Sequence, residues 1–243
     1  MHVSAKEELK RDKAVLGDTY GAAYHHACQH LWNVVAFWDR YESLFGTADR
    51  VALLNETSGG YWHATQNMLF EYVLLGLTRL TDPPVTGGRS NLSVAQLLQL
   101  DPSRYKAQLV KLVVRAERLT IFARTWRNRR LSHNDLAEIV GTSKTLGRAT
   151  RKKVRNAIMA IHDVLRWIRL KHFDGDMHLY PLGDSDTNAL MVFLADGVEA
   201  NQRRKDALDR RDYALAIRPN YAWLNTGSNQ RYSPQRRLRV PKR

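Results

Sequence analysis

A short segment near the middle of the chain combines residue types that suit chemistry on a phosphodiester. In RTWRNRRLSHND, residues 124–135, Asn128 directly follows Arg127, and His133 comes six residues after that arginine. A guanidinium can hold two phosphate oxygens and stabilise the negative charge of a transition state. A histidine near its ordinary pKa can remove or deliver a proton at neutral pH. Asn128 could orient the histidine or a phosphate oxygen. An RNA substrate would supply its own 2′-hydroxyl nucleophile, so this chemistry needs no metal and no cofactor.

The spacing of Arg127 and His133 requires a break in the helix between them. On one unbroken helix, six residues at about 100° each would place the two side chains about 240° apart. Ser132 is a good N-cap residue, and Asp135 stands three residues further on, near a following helix start. We therefore predict a helix–turn–helix corner that exposes the three polar residues together at one end of a helical bundle.

The same arginine–histidine spacing occurs again at Arg166 and His172, in the segment RWIRLKH. In a chain this rich in both residue types, about one such pair is expected by chance. No asparagine follows Arg166, and the surrounding pattern is that of a continuous helix. We interpret this second pair as solvated surface.

A stripe of basic residues follows the motif segment at helical spacing, with no acidic residue among them. A solvated helix face explains the stripe on its own, and an RNA-binding groove explains it together with its closeness to the motif. With the other arginines of the motif segment, the candidate RNA contacts are Arg124, Arg129, Arg130, Lys144, Arg148, Arg151, Lys152 and Arg155.

The elements that must position these residues are helices, because apolar residues recur at three- and four-residue spacing through most of the chain. No run of residues is convincing as a strand, so we predict an all-α fold, an antiparallel helical bundle. Helices are expected over residues 20–45, 48–80 with a kink near Gly59 and Gly60, 93–100, 102–130 and 143–173, with a loop over TDPPVTGGRSN, residues 81–91.

After Phe173 the composition changes. The segment DGDMHLYPLGDSD is a turn-rich linker, a polar helix is expected from about Asp186 to Arg211, and the end of the chain is a basic tail. The predicted domains are a helical bundle over residues 1–173 and a helical and basic C-terminal extension over 174–243.

The overall charge favours a polyanionic partner. Lysine and arginine exceed acidic residues enough to give a formal net charge of +14 and a pI near 10.1, which suits RNA. The N-terminal residues contain no apolar signal core, and no apolar stretch is long enough to span a bilayer, so we expect a cytoplasmic protein without a membrane partner. His26 and His30 are one helical turn apart but have no third ligand at a recognisable spacing, so no metal site is predicted.

Two stretches together resemble a known family. RNRRLSHND resembles the R-N-x4-H signature of the HEPN superfamily, and LTRLTDPP followed by SNLSVAQLLQL is similar to the matching region of abortive-infection U-type HEPN proteins. The resemblance covers roughly residues 20–173. It implies a HEPN-type bundle, with Arg127 and His133 on the catalytic pair and Asn128 on the polar residue after the arginine. Arg79 and Asp82 belong to the second stretch. Asp82 could cap the helix end or begin a turn, and either residue could support the site.

The resemblance also implies a function and partners. Many HEPN proteins are metal-independent ribonucleases that act as toxins or in phage defence, usually as homodimers with a composite active site. Some have lost activity. A non-catalytic module that binds a nucleotide or RNA therefore remains an alternative, as does an interaction protein controlled by an antitoxin or another regulatory partner.

Overall fold

The computed structural model describes residues 4–103, 106–131, 147–179 and 185–217, and the fold is all-α, as the sequence predicts. A two-stranded hairpin accompanies the helices, and none of the described helices is both long and apolar enough to cross a membrane. The elements are α1 Ala5–Leu16, α2 Asp18–Phe45, α3 Ala48–Leu80, β1 Val85–Thr86, β2 Arg89–Ser90, α4 Val94–Leu100, α5 Lys106–Trp126, a π-helical turn Arg127–Leu131, α6 Arg151–His172, α7 Ser185–Asp209 and α8 Tyr213–Ala216.

The core forms between α2, α3, α5 and α6. Helices α2 and α3 are antiparallel, since Phe37 stacks on Tyr72 with 4.0 Å between ring centroids and Tyr41 lies against Phe70 further along. Helix α6 is antiparallel to α2, and α4 packs against both α2 and α5. Fully buried side chains from these helices fill the centre, among them Leu31, Leu74, Leu77, Leu97, Leu109, Ile161, Leu165 and Ile168. This arrangement follows from the three- and four-residue spacing of the apolar residues.

Gly76 allows α3 to lie close against α2. A Cβ at this position would collide with Cγ2 of Val34, which is fully buried on α2. Because glycine has no Cβ, the two helix backbones can approach where a larger residue would push them apart.

The predicted kink in the second long helix is confirmed. Ser58, directly before Gly59, has non-helical backbone angles of φ −162° and ψ 73° inside α3. The indole of Trp62 donates to Oγ1 of Thr57 at 3.0 Å across this bend. The segment of α3 after the bend is the part that packs antiparallel to α2 and ends next to the motif segment.

Three expectations about the elements need correction. The helix expected from Ser143 begins instead at Arg151, because Thr150 is extended and its hydroxyl accepts a hydrogen bond from the backbone N–H of Lys153, which defines an N-cap. The loop after α3 contains the β1–β2 hairpin, whose turn is formed by two glycines with positive φ, Gly87 and Gly88. Helix α1 was not predicted from sequence, although its capping box is present.

The chain divides into two compact units, Met1–Leu194 and Ala195–Arg243. The first contains the bundle and a small cluster of buried side chains, Leu44, Phe45, Leu54 and Met191, to which the beginning of α7 contributes. In the second, the structure describes the rest of α7 and α8, and the carboxylate of Asp212 caps α8. The basic tail predicted from sequence, residues 218–243, lies outside the described residues.

Candidate active site at the end of α5

Arg127 lies where α5 gives way to the π-helical turn. π-helical turns are rare and occur frequently at functional sites. The Arg127 side chain is about one quarter accessible, and its Nη1 donates to both carboxylate oxygens of Asp82, each at 3.0 Å. Its Nε donates to Oδ1 of the neighbouring Asn128 at 3.1 Å. Two of the three guanidinium nitrogens are therefore held by the protein, while Nη2 makes no hydrogen bond to a described residue.

Asp82 is itself held in place by the residue before it. The hydroxyl of Thr120, which is fully buried on α5, donates to Oγ1 of Thr81 at 2.9 Å. Nη2 of Arg124 donates to the carbonyl oxygen of Thr81 at 2.5 Å, and Oγ1 of Thr81 donates to the carbonyl of Leu77 at 2.9 Å. The end of α3 is thus fixed to α5 one residue before the aspartate that contacts Arg127. Sequence analysis did not identify Thr81 or Thr120 as part of this arrangement.

Two arginines converge on the Asp82 carboxylate. Nε of Arg124 lies 3.9 Å from Oδ1 of Asp82, and Arg127 donates to the same carboxylate. Two guanidinium groups and one carboxylate leave an excess of one positive charge at this end of α5. Such a local excess favours an anionic ligand.

The structure brings together some of the predicted residues and separates others. Arg127, Asn128, Arg124 and Asp82 form one cluster. Arg79 is exposed. The pKa of His30 is lowered mainly by the burial of its ring and further by the positive charge of Arg79. Residues 132–146 lie outside the described residues. They include the predicted catalytic His133, the predicted N-cap Ser132 and Lys144 of the basic stripe. The predicted corner and the geometry of the catalytic pair remain predictions.

Gly147, where the described chain resumes, lies beside the end of α5. The indole Nε1 of Trp126 donates to the carbonyl oxygen of Gly147 at 2.9 Å. Trp126 directly precedes Arg127, so Gly147 contacts the end of α5 beside the motif arginine. The ring of Phe70 on α3 packs edge-on against the same indole, with 5.7 Å between centroids.

Two residues of the basic stripe form hydrogen bonds within the bundle. Arg151 donates to the carbonyl oxygens of Phe45 and Gly46 at the end of α2, at 2.8 and 2.9 Å. Arg155 forms two hydrogen bonds to the carboxylate of Glu42, at 3.0 and 2.8 Å, while much of its side chain stays accessible. Two members of the stripe therefore attach α6 to α2.

The other predicted RNA contacts differ in exposure. Arg148 and Lys152 are exposed. Arg129 is half-buried, and the side chain of Arg130 is not among those that the structure describes.

The interpretation of Arg166 and His172 as solvated surface is wrong for the histidine. Only 19% of the His172 side chain is accessible, and its ring meets that of Tyr20 edge-on, with Nε2 3.7 Å from the buried Asp101 carboxylate. Arg166 is half-buried and binds the Asp176 carboxylate through two hydrogen bonds. This pair is thus divided between two separate structural contacts.

Among the described residues, no group of three or more histidine, cysteine, aspartate or glutamate side chains is arranged to hold a metal ion. Cys28 lies between His26 and His30 in sequence, and burial raises the pKa of its thiol to about 12. Because the thiolate is the nucleophilic form, this thiol is a weak nucleophile at neutral pH.

The described helices form an antiparallel all-α bundle, with Arg127, Asn128 and Asp82 clustered where α5 ends. The family model HEPN_AbiU2, described as AbiU2, matches residues 18–193. The chain therefore belongs to the AbiU2 family of HEPN domains, the abortive-infection U-type branch, which confirms the family predicted from sequence. The match continues past residue 173, where the resemblance noted in the sequence ends, into the beginning of α7. No curated protein and no solved structure matched the chain.

Proposed function

We propose that the protein is a metal-independent endoribonuclease that acts as a toxin or phage-defence effector. The observation that carries this proposal is the Arg127 guanidinium, which Asp82 and Asn128 hold by two nitrogens while the third faces no described hydrogen-bond partner. A guanidinium fixed in this way is preorganised to stabilise charge that develops on a substrate. Membership of an abortive-infection HEPN family supports the same function.

The proposed reaction is a transfer of the phosphodiester to the adjacent ribose hydroxyl. The 2′-oxygen attacks phosphorus, the bond from phosphorus to the 5′-oxygen breaks, and a 2′,3′-cyclic phosphate and a 5′-hydroxyl end are formed. His133 removes the proton of the 2′-hydroxyl or delivers one to the leaving oxygen. Arg127 stabilises the charge of the pentacoordinate phosphorane, and Asn128 orients the guanidinium. No cofactor takes part.

The rest of the bundle would contribute RNA binding. Arg148 and Lys152 are exposed near the N-terminal end of α6, and Arg124 adds charge beside Asp82. Each phosphate contact releases counterions, so binding should weaken steeply with salt. We further propose that the active form is a homodimer with a composite site, and that an antitoxin or another partner restrains it in the cell.

The decisive experiment is cleavage of a mixed cellular RNA preparation in the presence of EDTA. The wild-type protein should cut RNA and leave 2′,3′-cyclic phosphate ends, and the His133→Ala protein should not. Arg115→Lys is the matched control, because Arg115 pairs with Asp163 away from the candidate site and its variant should cut normally. Equal cutting by the wild-type and His133→Ala proteins would refute the assignment. Salt-sensitive RNA binding without cleavage would instead identify a binding module.

A further inference from the structure

A cleft of about 240 Å³ lies where α1, the N-terminal half of α2 and the C-terminal end of α6 meet. Its lining residues are different from those that surround Arg127. They include Asp12 on α1, Trp32 on α2 and Arg169 on α6, with Met177 from the loop after α6.

Asp12 supplies a buried acceptor that the protein leaves unused. Only 6% of its side chain is accessible, and Oδ2 lies 3.0 Å from Nδ1 of the equally buried His25. Its Oδ1 is buried and has no hydrogen-bond donor among the described residues. The nearest cationic nitrogens, Nη1 of Arg169 and Nη2 of Arg11, are 3.8 and 3.7 Å from it, beyond hydrogen-bond distance. A buried carboxylate oxygen without a donor is unfavourable, so a ligand group that donates to it gains binding energy.

Arg169 supplies donors that the protein also leaves unused. Its side chain is 18% accessible, and its guanidinium carbon lies 4.4 Å from the centre of the Phe173 ring, which fixes the group over an aromatic face. Within the described residues, this guanidinium makes no hydrogen bond. Its N–H groups can therefore donate to a carboxylate or another oxygen anion.

The charges around the cleft are mixed, although the whole chain has a formal net charge of +14. Glu8 and Asp12 face Arg11 and Arg169, and the remaining carboxylate, Asp176, is bound by an arginine next to the cleft. A balanced lining gives no advantage to a polyanion such as RNA. It suits a small molecule that carries one positive and one negative group close together.

The cleft also has neutral and apolar walls. Trp32 and Met177 line it, together with the buried ring of Tyr24. Cys28 adds a neutral thiol, because burial raises its pKa to about 12. Such walls can bury an apolar side chain of moderate size.

We propose that this cleft binds a zwitterion of the α-amino-acid class with an apolar side chain. The ammonium group donates to Oδ1 of Asp12, the carboxylate accepts from Arg169 and Arg11, and the side chain packs against Trp32. The unsatisfied acceptor and the unsatisfied donors lie 3.8 Å apart, so one small ligand can meet both.

Calorimetric titration of the full-length protein tests the proposal. L-Tryptophan, L-phenylalanine, L-methionine and L-leucine are the probes, and at least one should bind with a Kd of about 1 mM or tighter. For L-tryptophan, the matched analogues are tryptamine, which lacks the carboxylate, and indole-3-propionic acid, which lacks the ammonium group. Each analogue should bind about tenfold or more weakly, because it leaves one charged group of the cleft unpaired. Absence of binding by all four amino acids overturns the proposal, as does preferential binding of inorganic phosphate or guanosine monophosphate.

A variant locates the binding site. Arg169→Met keeps an unbranched side chain over Phe173 and removes the guanidinium, so amino-acid binding should weaken by about tenfold or more. Arg115→Met removes a guanidinium from α5 outside the cleft and should bind as the wild type does. Equal binding by Arg169→Met and wild-type proteins overturns the assignment to this cleft. If Arg169→Met does not fold, the same titration of Arg11→Met, which changes an exposed side chain, takes its place.

Discussion

Replacing Asp82 with asparagine should slow RNA cleavage while leaving RNA binding intact or slightly tighter. The carboxylate accepts two hydrogen bonds from Nη1 of Arg127 at 3.0 Å, and the two side chains are 19% and 26% accessible. A hydrogen bond to a charged group contributes about 1.5–3 kcal/mol, whereas an exposed ion pair contributes about 0–1 kcal/mol. For this partly buried pair we take about 1–2 kcal/mol.

If that energy holds the guanidinium in position during turnover, its loss should lower kcat by about 5- to 30-fold. KM should change little or fall, because the substitution removes a negative charge beside the bound phosphate. The assay is steady-state cleavage of a fluorogenic RNA, with thermal unfolding to show that the variant is folded. Asp163→Asn breaks the comparable pair with Arg115 and should leave kcat unchanged. A folded Asp82→Asn protein that cleaves as fast as the wild type, or faster, would show that Asp82 shields Arg127 and does not position it.

Three further predictions follow from single contacts. Arg127→Lys should lower the cleavage rate by about two to three orders of magnitude, because an ammonium group cannot reproduce the planar guanidinium. RNA binding, measured in a filter assay, should barely change. Strongly weakened binding with a normal cleavage rate on bound RNA would show that Arg127 only anchors the RNA. Gly76→Ala should destabilise the protein by about 1–3 kcal/mol in urea unfolding because its Cβ collides with α2, whereas Gly60→Ala, where the added Cβ meets nothing within 4 Å, should be neutral or stabilising. Asp176 has a pKa lowered mainly by hydrogen bonds from its arginine partner, so its stabilisation is present above about pH 4 and is lost at lower pH. The difference in Tm between wild type and Asp176→Asn should therefore shrink as the pH falls from about 6 to 2, and a constant difference would contradict this origin.

The parts of the fold that the sequence predicted are those governed by local periodicity. The segment after Gly60 in α3 is apolar on nearly all sides, and its position against α2, α5 and α6 is the one such a helix must take. The bend at Ser58 was predictable because paired glycines weaken a helix. The start of α6 was misplaced because basic and small residues before Arg151 fit the helical pattern, whereas the hydroxyl of Thr150 determines the actual N-terminus.

The contacts of the candidate site depend on residues distant in sequence, so periodicity could not predict them. Asp82 and Arg127 are 45 residues apart, and Thr81 and Thr120 are 39 apart. An aspartate before two prolines is compatible with a simple turn, and only the packing of α3 on α5 brings it to the arginine. The same reason explains why the roles of Arg151 and Arg155 were not foreseen, since their partners lie more than one hundred residues earlier in α2.

The structure also separates two uses of arginine in this basic chain. Arg151 donates to carbonyl oxygens at the end of α2, where helix geometry leaves such groups without partners, and removing that guanidinium would expose them. Arg127 donates instead to a carboxylate and to an amide, and neither of these groups belongs to an unpaired helix end. Holding α3 to α5 does not require Arg127, because Arg124 and Thr120 already fix Thr81 from the same face of α5. Two partners orient Arg127, yet the helices are joined without it. Binding of a ligand explains such an arginine better than stability does, and the ribonuclease proposal therefore rests on Arg127.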